Sequence, residues 1–243
     1  MSSEVVLLTK AYRQQDTLDW IHHYQRLGFD HITIYLNDYE PHYDIDDTNY
    51  KNVSMFFIKG FPNQIKVYND HYAQSKYDWQ LYVDDDEYLW LDRKKYRNIN
   101  EFVSTLKCDV FGVYWQYASY KDGEEPEDRN IPMKEAFRYT PKGEYETIYK
   151  SFVKKGQIGK FINPHTFVNW NNAIQTVDGL RLDPQDPHII RDPSKDEIKL
   201  LHFWRKSKNE MRRKMNMFTP DHEEGLTYKD VSPEHNLIYT EKL

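Results

Sequence analysis

Residues 79–91 read WQLYVDDDEYLWL, an apolar run, four consecutive acids and a second apolar run. Adjacent carboxylates repel one another, and taking them out of water is costly unless a cation or hydrogen-bond donors compensate. The run WQLYV, rich in aromatic and β-branched residues, reads as a buried strand with the acids at its carboxyl end. Along a strand, alternate side chains share a side. Asp84 and Asp86 are therefore expected to converge, with Asp85 and Glu87 facing elsewhere and accepting hydrogen bonds. Two converging carboxylates make a hard-oxygen site for magnesium or manganese, which also takes the oxygens of a diphosphate. An EF-hand loop fits poorly, because its sixth-position glycine is missing. The competing reading is a solvated polar turn.

Working outward, strands and helices alternate upstream of the acids. EVVLLT (4–9), HITIYL (31–36) and VSMFFI (53–58) are strand-like. Between the first two, Asp16 is placed to cap a helix that Gly28 closes, with Leu18, Ile21, Tyr24 and Leu27 at near-helical spacing. The stretch IKVYNDHYAQSK (65–76) predicts a further helix. Downstream, a helix is expected over 99–106, and a long strand in CDVFGVYW (108–115) leads into the polar loop ASYKDGEEPEDRN (118–130). Alternation over 145–170 predicts hairpins, VDGLRL (177–182) carries an Asp-Gly turn, and KLLHFW (199–204) is a short strand before the basic helix RKSKNEMRRKM (205–215). The expected fold is α/β, a mostly parallel sheet flanked by helices with a more irregular, β-rich second half. With no linker or repeat, one domain over 1–243 is expected, divided near residue 107. In such sheets the ligand crevice lies at the carboxyl ends of the strands.

Composition narrows the function. The net charge of -6 argues against a general nucleic-acid binder. The aromatic fraction of 16% argues against disorder and suits both buried strands and stacking surfaces. A single cysteine, Cys108, excludes an internal disulfide and fits a reducing compartment. No apolar stretch approaches the roughly 20 residues that span a bilayer, and no signal-peptide pattern opens the chain, so a cytoplasmic protein is expected.

Three ordered blocks carry a resemblance. TKAYRQQDTLDWIHHYQRLGFDHITIYLND (9–38), WQLYVDDDEYL (79–89) and LLHFWRKSKNE (200–210) resemble elements of the GT-A class of nucleotide-sugar-dependent glycosyltransferases. More narrowly, they are similar to its family-2-like and family-92-like group, which includes enzymes of large DNA viruses. The family's early Lys/Arg-Asn-Glu signature is not intact here, where the chain reads Thr9-Lys10-Ala11-Tyr12-Arg13, and Leu36 stands where the family has Asp.

The resemblance implies a GT-A, Rossmann-like fold and sugar transfer from a nucleoside diphosphate donor, with a UDP-sugar the leading candidate, to a carbohydrate or other hydroxyl acceptor. It implies manganese or magnesium on Asp84 and Asp86 with His202 as a third ligand, and Asp84 near the ribose. Asn37 and Asp38 would then lie near base or ribose. On the residues themselves, Thr9, Lys10, Arg13 and Asp85 join the donor side, where cations meet phosphate. Tyr12, Trp79 and Trp115 are candidates to stack on a base or sugar, with core packing the alternative. For a proton acceptor the polar loop offers Asp122, Glu124, Glu125, Glu127 and Asp128, of which Asp122 and Glu124 are taken as the candidates. The basic helix suits a phosphate or a solvated face. Two other readings stay open, a two-metal phosphoryl-transfer enzyme and a non-catalytic carbohydrate-binding module.

Overall fold

The computed structural model describes residues 1–9, 14–37, 50–58, 64–121, 125–169, 174–175, 179, 181–183, 186–204, 206–215 and 239–243. In chain order the first half gives β1 (Ser3–Thr9), α1 (Gln14–Leu27), β2 (His31–Asn37), β3 (Val53–Ile58), α2 (Gln64–Gln74), β4 (Trp79–Val83), β5 (Glu87–Leu91) and α3 (Ile99–Thr105). The second half gives β6 (Val110–Tyr117), α4 (Met133–Ala136), β7 (Tyr139–Pro141), β8 (Tyr145–Thr147), β9 (Tyr149–Lys154), β10 (Gly159–Phe161) and β11 (Phe167–Asn169). It continues with β12 (Ile174–Gln175), β13 (Arg181–Leu182), β14 (Ile189–Arg191), β15 (Ile198–His202), α5 (Lys208–Met215) and β16 (Tyr239–Lys242).

A ten-stranded sheet runs β13-β12-β6-β9-β4-β1-β2-β3, with β15 joined to β6 and to β5. The β4-β1-β2-β3 portion is parallel throughout, as the alternation of strands and helices predicts. β9 enters antiparallel between β4 and β6. Strands from both halves of the chain thus share one sheet. β4 is buried along its whole length, as a strand covered on both faces must be. No helix among the described residues is long and apolar enough to cross a membrane.

The first helix does more than cover the sheet. β5 pairs with β15 along one edge, which leaves backbone groups on the other edge in need of partners. Trp20, His23 and Tyr24, one turn apart on α1, supply them. Trp20 Nε1 and Tyr24 OH donate to Glu87 O at 3.1 Å each, Leu89 N donates to Tyr24 OH at 3.1 Å, and His23 Nε2 donates to Leu89 O at 2.7 Å. Gly28 ends this helix at φ +85, a left-handed conformation that only glycine adopts cheaply, and a Cβ there would lie 2.9 Å from Asn98 Cβ. Asp16, read as the helix cap, lies inside the first turn instead and binds Arg129. The helix begins two residues earlier, at Gln14, and the Asp16 carboxylate turns outward to Arg129.

His23 Nδ1 accepts from Lys134 Nζ at 2.9 Å, so its ring is held neutral between a carbonyl and an ammonium. Burial, reinforced by Lys134, pushes its pKa down to about 3. The unfolded chain takes up a proton near pH 6.5 that the folded chain refuses down to about 3, so stability present above pH 6.5 is lost as pH falls through that window. Moving from pH 7.5 to pH 5 should remove about 2 kcal/mol on this account. His23→Gln, which keeps a donor for Leu89 O, should flatten that part of the pH dependence in urea titrations; an unchanged slope would assign it elsewhere.

Candidate functional site

The acidic run leaves β4 as a turn rather than an extension of the strand, closed by Glu87 N donating to Asp84 O at 3.1 Å. Strand alternation stops there, and the carboxylates group differently from the expectation. Asp84 and Glu87 share Lys150, whose Nζ is 2.8 Å from Asp84 Oδ2 and 3.7 Å from Glu87 Oε1. Asp85 and Asp86 share Lys206, whose Nζ is 3.4 Å from Asp85 Oδ1 and 3.2 Å from Asp86 Oδ2. The pairing of Asp84 with Asp86 on one side, and of Asp85 with Glu87 on the other, is therefore replaced by a division at the middle of the run.

Neighbouring elements hold each acid. Gln64 Nε2, at the start of α2, donates to Asp84 Oδ1 at 3.0 Å. Thr9 Oγ1, at the carboxyl end of β1, donates to Asp85 Oδ2 at 2.6 Å. Glu87 Oε2 accepts from Asp84 N at 2.8 Å, while Glu87 Oε1 is buried with no hydrogen-bond partner among the described residues. The antiparallel register of β15 sets His202 opposite Glu87. His202 Nε2 then stands 3.7 Å from Asp86 Oδ1, farther than a hydrogen bond reaches.

Sequence reasoning missed both lysines, and each had a local signal. Lys150 sits inside YKSFVK, where it is fully buried between tyrosine, serine and phenylalanine. A lone cation inside an apolar strand demands an anion. The β9 register, Leu81 against Phe152, carries Lys150 level with the end of β4. Lys206 precedes a capping box, in which Ser207 N and Oγ donate to Glu210 Oε2 at 3.1 and 2.7 Å and Glu210 N donates to Ser207 Oγ at 3.4 Å. That box starts α5 and fixes the direction in which Lys206 leaves the helix. On α5, Lys208 and Arg212 pair with Glu127.

Electrostatics follow the grouping. Burial raises the carboxyl pKa of Glu87 well above its usual range, with Lys150 opposing. Burial acts on Asp84 in the same direction, but the close Lys150 ammonium outweighs it and holds Asp84 below the ordinary value. Burial alone would lower both lysines, yet Asp84 and Glu87 hold Lys150, and Asp85 and Asp86 hold Lys206, above the ordinary lysine value.

The aromatic candidates divide. Trp79 is core, edge-on to Phe152, and stacks on no ligand surface. Trp115 lies against His202 at 4.0 Å between ring centroids and against His165 at 5.2 Å. His165, which the sequence reading passed over, is held by Asn163 Oδ1 on its amide and by Ser151 on its carbonyl. Burial and the Lys150 charge keep its imidazole well below the usual pKa. Asn37 is buried at the carboxyl end of β2. Lys10, Tyr12, Arg13, Asp38, Asp122 and Glu124 lie outside the described residues. Of the other loop acids, Glu127 pairs with Lys208 and Arg212, and Asp128 accepts from Asn209.

Among the described residues no group of three or more His, Cys, Asp or Glu side chains is arranged to hold a metal ion. The donor chemistry nevertheless suits one. Asp86 Oδ1 and His202 Nε2, a carboxylate oxygen and an imidazole nitrogen, stand 3.7 Å apart and are donor types that divalent cations take, although neighbouring ligands of an octahedral cation lie closer together, at about 3 Å. Ammonium groups lie beside Asp84 Oδ2, Asp85 Oδ1 and Asp86 Oδ2.

No protein-family model and no curated protein sequence matches the chain. Among solved structures it is similar to TarS 1-349 of S. aureus, at 15% identity over 54% of this chain and 38% of that chain, with a TM-score of 0.34. It is similar also to a putative glucose-1-phosphate thymidylyltransferase from Bacillus anthracis in complex with sucrose, at 12% identity over 54% of this chain and 60% of that one, TM-score 0.35. HddC from Yersinia pseudotuberculosis follows at 13% identity over 100% and 89%, TM-score 0.33. The chain thus spans 38% of the length of the first and 60% of the second. Likenesses this faint leave the site to be argued from its own residues.

The loop that follows β6 is anchored by Arg129, whose side chain is fully buried. Its guanidinium donates to both oxygens of Asp16 at 2.9 and 2.6 Å, to Glu210 Oε1 at 2.6 Å and to Ile131 O at 3.1 Å. It therefore ties the loop to α1 and to the capping box that orients Lys206. Removing one member of such a buried cluster strands the others, at a cost of about 3–5 kcal/mol. Arg129→Ala should lose stability of that size in chemical denaturation; a loss under about 1 kcal/mol would show that water replaces the guanidinium.

Proposed function

We propose that the chain is a divalent-cation-dependent glycosyltransferase, moving a sugar from a nucleoside diphosphate donor, with UDP-sugars first among candidates, to a hydroxyl acceptor on a carbohydrate. The observation that carries this reading is the gathering of Asp84, Asp85, Asp86 and His202 with two buried lysines where β4 ends, beside the end of β1. In open sheets this end is where ligands bind. The resemblance of the three sequence blocks to GT-A enzymes points the same way.

In this reading Asp84, Asp86 and His202 would hold manganese or magnesium, which would supply positive charge for the departing diphosphate. Thr9 and Asn37, at the ends of β1 and β2, line the donor side with Asp85, and Lys10, Arg13 and Asp38 belong to the same proposed set. The bond from the anomeric carbon to the diphosphate oxygen breaks, a bond to the acceptor oxygen forms, and the hydroxyl proton passes to a base. Asp122 and Glu124 remain the proposed bases. Glu87 shapes the turn through its hydrogen bond to Asp84 N rather than touching donor or cation.

A thermal-shift screen of UDP-, GDP- and dTDP-linked sugars, each with and without manganese, tests the reading. A donor at about 100 times its Kd adds about 2.7 kcal/mol to the folded state, which for a chain of this size raises Tm by about 5–10 °C. The rise should require manganese and vanish in Asp86→Asn. A flat response to every donor in the presence of manganese would sink the proposal.

A further inference from the structure

The two ends of β4 differ in charge. The acidic turn closes its carboxyl end, whereas at the other end the starts of β4 and β6 and the finish of the antiparallel β9 bring together three stretches, 75–78, 106–109 and 154–160. Backbone bonds hold them side by side: Lys154 N donates to Asp109 O and Lys155 N to Asp78 O, each at 2.8 Å. In a chain of net charge -6, these stretches carry five lysines, Lys76, Lys107, Lys154, Lys155 and Lys160, against two aspartates. All five lysines are exposed. Asp109 pairs with Lys154 at 3.3 Å and Asp78 accepts from Ser2 N at 2.8 Å, while Lys107, Lys155 and Lys160 have no carboxylate partner among the described residues.

Ile158 stands at the tip of the third stretch and is 73% exposed, more than any other large apolar side chain among the described residues. A single exposed isoleucine is ordinary on a protein surface, but this one is held out by a built support. Gly156 turns the chain at φ +86, in the left-handed region that favours glycine. The Tyr72 hydroxyl, from α2, accepts from Gln157 N at 2.9 Å and lies 3.0 and 3.1 Å from Lys154 O and Gln157 O. One turn away on the same helix, Asn69 accepts from Phe161 N at 2.7 Å and donates to Phe161 O at 3.1 Å. The tip is thus tied on both sides of Ile158 to a helix packed on the sheet.

We propose that this edge docks on an anionic phospholipid surface, with Ile158 entering the headgroup layer and the surrounding lysines facing the negative lipid groups. An apolar tip among lysines complements a surface whose negative headgroups overlie hydrocarbon. Nucleic acid fits less well. Tyr77, the one aromatic ring on the three stretches, is half-buried against His31 and offers no free face for a base, and Ile158 has no use against a phosphate backbone. Docked in this way, the chain holds the acidic turn at the end of β4 that points away from the lipid. The inference stands apart from the transferase reading and does not need it.

Co-sedimentation of the full chain with vesicles decides it, using phosphatidylcholine alone and phosphatidylcholine mixed with phosphatidylserine. Wild type should bind the mixed vesicles at least about tenfold more tightly than the neutral ones, because each lysine near an anionic surface contributes about fivefold. Binding should weaken as sodium chloride is raised and the screening length shortens. Ile158→Asp should lose at least about tenfold, from the apolar contact and the added charge. The pair Lys155→Glu with Lys160→Glu should lose at least about twentyfold. Ile190→Asp, at a side chain equally bare (71% exposed) but outside the three stretches, should bind as wild type does. No sedimentation of wild type with the mixed vesicles would overturn the proposal, as would binding that survives both Ile158→Asp and the double lysine change. If an oligothymidylate binds the wild type as tightly as the mixed vesicles do, and Ile158→Asp weakens neither, the edge is a general polyanion surface and the lipid assignment falls.

Discussion

Charge balance in the turn after β4 is the constraint on which the rest of the structure depends. Three aspartates and a glutamate in succession cannot be drawn into a folded chain without cations beside them. The fold delivers two, each from a distant part of the chain. β9 runs antiparallel into an otherwise parallel region and brings Lys150 beneath Asp84 and Glu87. The segment after β15, stopped by the Ser207–Glu210 capping box, brings Lys206 over Asp85 and Asp86. The irregular second half of the molecule is, from this standpoint, the device that completes a site opened by the regular first half.

Much of this was legible in the sequence, and the reasons for the rest are physical. The buried strand WQLYV, the parallel β1, β2 and β3, and the helix closed by Gly28 follow from apolar runs and from a glycine with one plausible use. His202 as a metal ligand was an implication of the family resemblance alone, and the register of β15 on β5 sets that residue opposite Glu87, with Nε2 3.7 Å from Asp86 Oδ1. The internal grouping of the acids was not legible, because alternation presumes that a strand continues, and this one stops at Val83. Asp16 was misplaced for a related reason: a carboxylate at a helix start serves the helix by default, and the sequence does not announce that Arg129, far along the chain, will arrive to claim it.

The relation between α1 and β5 shows how a helix reaches into the chemistry without touching it. By satisfying Glu87 O and both backbone groups of Leu89, the side chains of Trp20, His23 and Tyr24 hold the strand that begins at the last acid of the turn. Behind the turn, Trp115 spaces His202 from His165 and gives the site a rigid wall. The positions of the acids are thereby set from both sides, by hydrogen bonds to backbone on one and ring packing on the other.

The separation in sequence between the acids and their lysines bears on the order in which the molecule can form. Asp84 and Lys150 lie 66 residues apart, and Asp85 and Lys206 lie 121 apart. Contacts so distant close late, since loop entropy must be overcome before they reward the chain. A chain emerging from the ribosome therefore carries its acidic turn uncompensated until β9 brings Lys150, and Asp85 and Asp86 wait longer, for Lys206. The first half, although it holds the regular part of the sheet, is left to wait for its cations, and the second of them arrives only with the segment that leads into α5.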